Sequence, residues 1–198
     1  DDHAKYNSEG FEQWYVYGDA SDDIVFADDG NLYLATQGNA LQKIDVTNGS
    51  TIESINLSSR PFVVVNGYNN IAYAVLENTG IQKVNLSTKN VEWTLNGDYN
   101  NTGGYRSVVA HPDNGFVYVG TKYGSVLKVD EQNGNVVSQI DIHSSRVQAL
   151  GVDSDGYVYS GSRNGEIRKT DPSDSEITTG GWPFTGHSNA IIEIRVLG

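Results

Sequence analysis

The sequence contains no cysteine and no methionine among its 198 residues. Without cysteine there is neither a disulfide framework nor a thiolate metal site. Without methionine there is no initiator residue. The chain opens Asp1-Asp2-His3, with neither the basic n-region nor the apolar h-region of a signal peptide. The expectation is a processed, excised or partial polypeptide. Positive charge is also scarce: 13 Lys and Arg stand against 25 Asp and Glu, for a net charge of −12 and a pI of about 4.5. Such a surface repels phosphate, which argues against nucleic acid and against an anionic membrane surface as partners. No apolar run approaches the length of a membrane span. No segment has the sustained 3.6-residue period and caps of a helix.

Turn and strand chemistry is what remains. Glycine occurs 22 times, Asn, Asp and Ser are plentiful, and Tyr is the dominant aromatic with 12 copies. That composition reads as many short strands joined by tight turns.

The strands repeat. Four segments align on a tyrosine: Asn31-Leu32-Tyr33-Leu34, Ile71-Ala72-Tyr73-Ala74, Phe116-Val117-Tyr118-Val119 and Tyr157-Val158-Tyr159-Ser160. The steps between tyrosines are 40, 45 and 41 residues. Eight residues after each Tyr stands an aliphatic residue (Leu41, Ile81, Val126, Ile167), and ten after it a lysine (Lys43, Lys83, Lys128, Lys169). Two further on comes Asp45, Asn85, Asp130 or Asp171. Each unit reads as four strands: an apolar first strand, a second carrying the Tyr, a third carrying the Lys, and an outer fourth. Turns such as Asp28-Asp29-Gly30-Asn31 and Asp153-Ser154-Asp155-Gly156 supply the positive φ that hairpins need. A period of roughly 40–45 residues with four strands per unit is that of a propeller blade. The fold expected is all-β: a β-propeller of four-stranded antiparallel blades, with four full repeats and partial blades at both ends. The blades fall at about 20–59, 60–103, 104–145 and 146–187, with partial blades at 1–19 and 188–198 in one propeller or propeller fragment spanning 1–198.

The Lys-x-Asp stretch, the Gly-containing turn and a following Trp resemble the repeat of quinoprotein-type (pyrroloquinoline-quinone-like) propellers. Asn85-Leu86-Ser87-Thr88 leading to Trp93 and Ser8-Glu9-Gly10 leading to Trp14 carry that resemblance. The repeat is also similar to WD repeats at Ser107 to Asp113 and at Gly186-His187 ahead of Ile191 to Ile194, although the third strand lacks the Trp-Asp dipeptide. The resemblance implies the fold and leaves function open, since such repeats serve unrelated tasks. The Trp position holds Glu53 and Ser138 in two repeats, and Trp182 requires a local insertion. Trp14 belongs to an outer-type strand with no first or second strand before it, and Ala190 to Val196 reads as a first-type strand with nothing after it. The chain is therefore expected to be a window on a larger propeller. The alternatives are a five-bladed ring with one deficient blade, or edges covered by another subunit.

Candidate sites are few. His3, His111, His143 and His187 show no metal-ligand spacing. His143 and His187 precede first strands at nearly equivalent repeat positions, which suits a histidine bonded within its blade. Asp153 and Asp155 open a calcium-like loop whose late Glu is missing, and Asp22, Asp23, Asp28 and Asp29 form a second acidic group. Either group could hold calcium or be the ordinary turn that follows each first strand, with Asp153 and Asp155 the candidate ligands; no other cofactor is read from the sequence. The four lysines would form an anion-binding ring, or else snorkel to acidic neighbours. Asn48, Asn56, Asn85 and Asn100 each open an Asn-x-Ser/Thr sequon, which favours export and glycosylation. Trp14, Trp93 and Trp182 could stack on sugars but are more simply outer-strand packing residues. Thr102-Gly103-Gly104 lacks dinucleotide spacing, and no nucleophile elbow or Cys/His pair is present. The reading is a non-catalytic binding or scaffold module, exported to an extracellular, cell-surface or periplasmic setting. Its partner would be a protein or carbohydrate, and its blade edges would allow self-assembly. The alternatives are a structural subunit of a filament, envelope or virion surface, and part of a quinoprotein-like oxidoreductase or propeller hydrolase with its active site outside this chain.

Overall fold

The computed structural model describes residues 3–6, 12–16, 21–77, 79–97 and 104–196, with side chains from residue 23 onward. Asn100 and the Thr102-Gly103 pair lie outside the described residues. Among those described, every regular element is a strand. The chain divides into two compact units, Asp1–Thr94 and Leu95–Gly198.

The first unit opens with an antiparallel hairpin, β1 (His3–Tyr6) and β2 (Glu12–Val16). Two four-stranded antiparallel sheets follow in simple meander order. One contains β3 (Ser21–Phe26), β4 (Leu32–Thr36), β5 (Ala40–Ile44) and β6 (Thr51–Asn56). The other contains β7 (Pro61–Asn66), β8 (Ile71–Leu76), β9 (Gly80–Asn85) and β10 (Asn90–Asn96). The tyrosine strands β4 and β8 are buried at every residue, so both of their faces are covered. That is why they read as unbroken apolar runs rather than alternating ones. The outer strand β6 is mostly exposed. Tyr33, Leu41, Val64, Ala74 and Val84 share one apolar cluster spanning the two sheets.

The second unit contains the sheet β11 (Tyr105–Ala110), β12 (Phe116–Thr121), β13 (Ser125–Asp130) and β14 (Val136–Asp141). It continues with the three-stranded sheet β15 (Val147–Val152), β16 (Val158–Ser162) and β17 (Ile167–Thr170). The four repeats are thus present, but the fourth has an irregular outer segment where a strand was expected. Two isolated bridges, Thr170↔Glu176 and Ile167↔Phe184, hold it beside β17. Gly180 and Gly181, at φ of +67° and +92°, loop the chain out between those bridges. Pro183 has no amide hydrogen to offer a ladder.

The matched residues have distinct backbone tasks. The residue two after each Lys caps the turn to the outer strand: Asp45 Oδ1 accepts the Thr47 amide at 2.7 Å, Asn85 Oδ1 that of Ser87 at 3.1 Å, Asp130 Oδ1 that of Gln132 at 2.8 Å and Asp171 Oδ1 that of Ser173 at 2.9 Å. Each first strand carries a bulge that skips one residue: Asp22, Phe62, Arg106 and Gln148.

The glycines show how repeats dock. In the second unit a Cβ at Gly120 of β12 would press on Val147, the first residue of the next repeat's first strand. A Cβ at Gly161 of β16 would meet Ile191 and Ile194 in the same way. The segment 190–196 therefore sits where a following first strand belongs, as its sequence suggests. It is not a regular strand, because its outer side finds no ladder partner among the described residues. Ile191 is buried, while Ile192 is 79% exposed.

Candidate functional site

Because the strands are antiparallel, the connections fall at two ends. Turns after first and third strands share one end; turns after second strands and the links between repeats share the other. The two ends of the second unit differ in charge.

At the first end, a cross-strand row runs from the tyrosine strand to the outer strand. In the first repeat Tyr33 pairs with Lys43, and Lys43 with Glu53. Asp29, in the turn before β4, completes the row. It accepts the Tyr33 hydroxyl at 3.0 Å and the Lys43 ammonium at 2.9 Å, and Glu53 lies 4.0 Å from that ammonium. Burial works to raise the Asp29 carboxyl, but the donated hydrogen bonds of Lys43 and Asn31 win and hold it below its usual range. Burial and the Asp29 charge push the Tyr33 hydroxyl up to about 12. Lys43 is raised by its bond to Asp29.

The other repeats vary this row. Lys83, almost fully buried, pairs with Glu92 at 3.1 Å. Trp93 packs on Tyr73 with centroids 5.8 Å apart. Lys128 reaches Asp174, in a turn of the next repeat, at 3.3 Å, and Ser138 donates to the same carboxylate at 2.6 Å. Lys169 lies over the Tyr157 and Tyr159 rings at 4.1 and 4.9 Å, and Trp182 packs on Tyr159 at 5.7 Å. All four lysines are committed to acidic or aromatic neighbours, Lys128 reaching into the next repeat for its partner, which is the snorkelling arrangement. Trp93 and Trp182 are packing residues. The side chain of Trp14 is outside the described set.

The acidic turns do not gather. Asp153 Oδ1 accepts the amides of Asp155 and Tyr157 at 3.1 and 2.8 Å, and its Oδ2 accepts the Tyr159 hydroxyl at 3.0 Å. Asp153 thus repeats the task of Asp29, with both oxygens already taken up by donors. Asp23 sits near the start of β3, where it accepts the Ile24 and Val64 amides at 2.8 and 2.9 Å. Asp28 and Asp29 lie past the other end of the same strand, and Asp28 accepts from Asn66 at 2.9 Å. The side chain of Asp22 is outside the described set. Among the described residues no group of three His, Asp or Glu is placed to hold a metal ion.

The histidines take structural positions. His111 Nδ1 accepts the amides of Asp113 and Asn114, both at 3.0 Å, and so shapes the turn between β11 and β12. The His143 side chain is fully buried, with Nε2 2.8 Å from Ser160 Oγ and Nδ1 3.6 Å from Glu166. Glu166 also holds Arg168 at 3.3 Å, and Arg168 pairs with Glu176 at 2.7 Å. Burial, then the Arg168 charge, lower the His143 imidazole from its ordinary value. A Cβ at Gly124 would overlap the His143 carbonyl oxygen, and one at Gly165 that of His187, so the two histidines are backbone equivalents. His187 is nonetheless exposed, with its ring beside Phe184 at 5.4 Å. The side chain of His3 is outside the described set. Asn48 and Asn56 are exposed; Asn85 Nδ2 is engaged with Glu92 at 2.8 Å.

Sequence reasoning missed the opposite end of the second unit. There Arg106, at the β11 bulge, Lys122, after β12, Arg146, before β15, and Arg163, after β16, stand together at the links between strands. The signal was available: Arg106 and Arg146 both flank the start of a first strand.

A family model described as "Outer membrane protein assembly factor BamB" matches residues 4–176. Among solved structures, BamB from Moraxella catarrhalis superposes with a TM-score of 0.67 at 15% identity, over 84% of this chain and 55% of that one. The computationally designed Ika4 protein matches with a TM-score of 0.65 at 17% identity, over 82% of this chain and 98% of that one. The designed Ika8 protein gives 0.64 at 17% identity, over 82% of this chain and 49% of its own. The chain therefore spans about half the length of the BamB structure and of Ika8. No curated protein matches the sequence.

Proposed function

Because the chain belongs to the BamB family of quinoprotein-like β-propellers, we propose that it is a non-catalytic binding or scaffold module that docks protein partners and works outside the cytoplasm, in the periplasm or at the cell surface. The observation that carries this reading is the family match over residues 4–176, to a family described by an assembly factor of the outer membrane. The internal chemistry supports it. The polar groups that could be taken for a site are consumed in the fold: Lys43, Lys83 and Lys128 in ion pairs, Asp29 and Asp153 in turns, His143 in a buried contact with Ser160. Trp93, which a sugar-stacking role would need exposed, is buried against Tyr73. Recognition then falls to the connections, where side chains vary at little cost to the core.

The test is to add pyrroloquinoline quinone with calcium to the full chain, then follow dye-coupled oxidation of alcohols and sugars together with the melting temperature. No turnover and no ligand-induced rise in Tm is expected. Turnover, or a quinone-dependent rise in Tm that calcium alone does not give, would transfer the chain to the oxidoreductase reading.

A further inference from the structure

The basic end of the second unit is an anomaly in a chain of net charge −12. Only six arginines occur in the sequence, and Arg106, Arg146 and Arg163 are three of them. The backbone brings them into a row with Lys122. The Lys122 amide donates to the Gly104 carbonyl at 2.6 Å, which sets Lys122 beside the start of β11 and so beside Arg106. Ser107 Oγ donates to the Val147 carbonyl at 3.3 Å, which joins the starts of β11 and β15. The Arg163 amide donates to the Arg146 carbonyl at 3.0 Å. The row thus crosses two neighbouring repeats. Burial and the nearby Arg146 charge both lower Arg106, so like charges are held close there.

Two acids described at this end are already occupied. Asp141 accepts from Ser125 and Gln139, at 2.6 and 2.8 Å, and Glu166 pairs with Arg168. Among the described residues no carboxylate forms an ion pair with Lys122, Arg146 or Arg163. Exposed aromatics flank the row: Tyr123 is 58% exposed with Lys122 near its ring, and Phe184 is 46% exposed after β17.

We infer that this end of the second unit, through Lys122, Arg146 and Arg163, docks an extended acidic segment of a partner protein. The inference rests on the docking-module reading and names its partner class. A short run of carboxylates is drawn to the row, and arginine forks match carboxylates bidentately. A long polyanion would instead meet the repulsion of the whole acidic chain. A second copy of this chain is a poorer occupant, because the acids Asp130, Asp153, Asp171 and Asp174 at its opposite end are engaged in their own turns and pairs.

The experiment uses the full chain and a fluorescein-labelled peptide alternating Glu and Tyr, read by anisotropy at low and near-physiological salt. Salt-sensitive binding is expected, at least about tenfold tighter than for the same peptide with Gln in place of Glu. The pair Arg146→Ser and Arg163→Ser should weaken binding about tenfold, while Arg146→Lys with Arg163→Lys keeps most of it. Lys128→Ser, at the opposite end, should leave binding unchanged. Equal binding of the Gln peptide would overturn the inference. So would tighter binding of a single-stranded oligonucleotide, or sedimentation showing self-association that the Ser pair abolishes. Failure of the peptide to bind a normally melting chain would end this inference alone; quinone turnover would end the reading beneath it.

Discussion

Substituting Gly120 and Gly161 separates a held first strand from an unheld one. Both glycines lie on tyrosine strands, and at both an added Cβ meets the first strand of the next repeat. At Gly120 the obstacles are Ser107 Oγ of its own repeat, nearest, and Val147 Cγ1 at 2.8 Å, and Val147 is fully buried in β15, laddered to Ser162. It cannot retreat without moving β16. Overpacking of this kind costs about 1–3 kcal/mol. In a chain of this size each kcal/mol lowers Tm by about 2–4 °C, so Gly120→Ala should lower Tm by roughly 2–12 °C. At Gly161 the obstacle includes Ile191 Cβ at 2.7 Å and Ile194 Cδ1 at 3.2 Å, in a segment with no ladder partner on its outer side among the described residues. Its backbone link there is the Ile191 amide to the Ser162 carbonyl, 3.0 Å long and worth about 1 kcal/mol. The segment yields instead of the sheet. Gly161→Ala should therefore shift Tm less than Gly120→Ala, while amide exchange across 191–196 accelerates about tenfold. Calorimetry with exchange mass spectrometry reads both. Equal losses of Tm with unchanged exchange at 191–196 would refute the assignment of that segment to a first-strand position.

Three further outcomes follow from the site geometry. The His143 imidazole is held below its ordinary value of 6.5 in the fold, so the unfolded chain takes up that proton first; stability from this group is full above about pH 6.5 and falls as pH drops towards the lowered value. Chemical denaturation of wild type and His143→Gln between neutral and mildly acidic pH should therefore show a shallower acid loss in the variant, and parallel curves would contradict the assignment. Asp29→Asn deprives Tyr33 and Lys43 of a shared anionic acceptor and should cost about 1–2 kcal/mol in urea unfolding, whereas a neutral result would mean that Glu53 alone suffices for Lys43. Millimolar calcium should leave Tm unchanged, since both Asp153 oxygens already accept protein donors; a rise abolished by Asp155→Asn would restore the calcium site.

The period of Tyr, Lys and Asp made the blades legible because each residue has a fixed local task. Tyrosine fills the covered second strand, lysine lies beside it, and the residue two later caps a turn. Trp182 needed an insertion to fit the pattern, and that insertion is the Gly180-Gly181 loop that makes the fourth outer segment irregular. Spacing did not reveal how the lysine row is completed. The outer-strand position holds Glu53 opposite Lys43, but Trp93 opposite Tyr73 and Ser138 beside Asp174. The partner of Lys128 arrives from 46 residues away, and no local pattern encodes that reach. The basic row was hidden for the same reason. Its residues are dispersed along the sequence, and a net charge of −12 describes the chain without describing its ends.

The most direct test of recognition through the strand connections is an exchange footprint of the full chain with the Glu-Tyr peptide at saturation. Docking at the basic end predicts slowed exchange confined to residues around 104–107, 121–124, 143–147 and 162–165. Slowed exchange at the opposite turns, around 111–115, 130–135 and 153–157, or no protection at saturation, would contradict it.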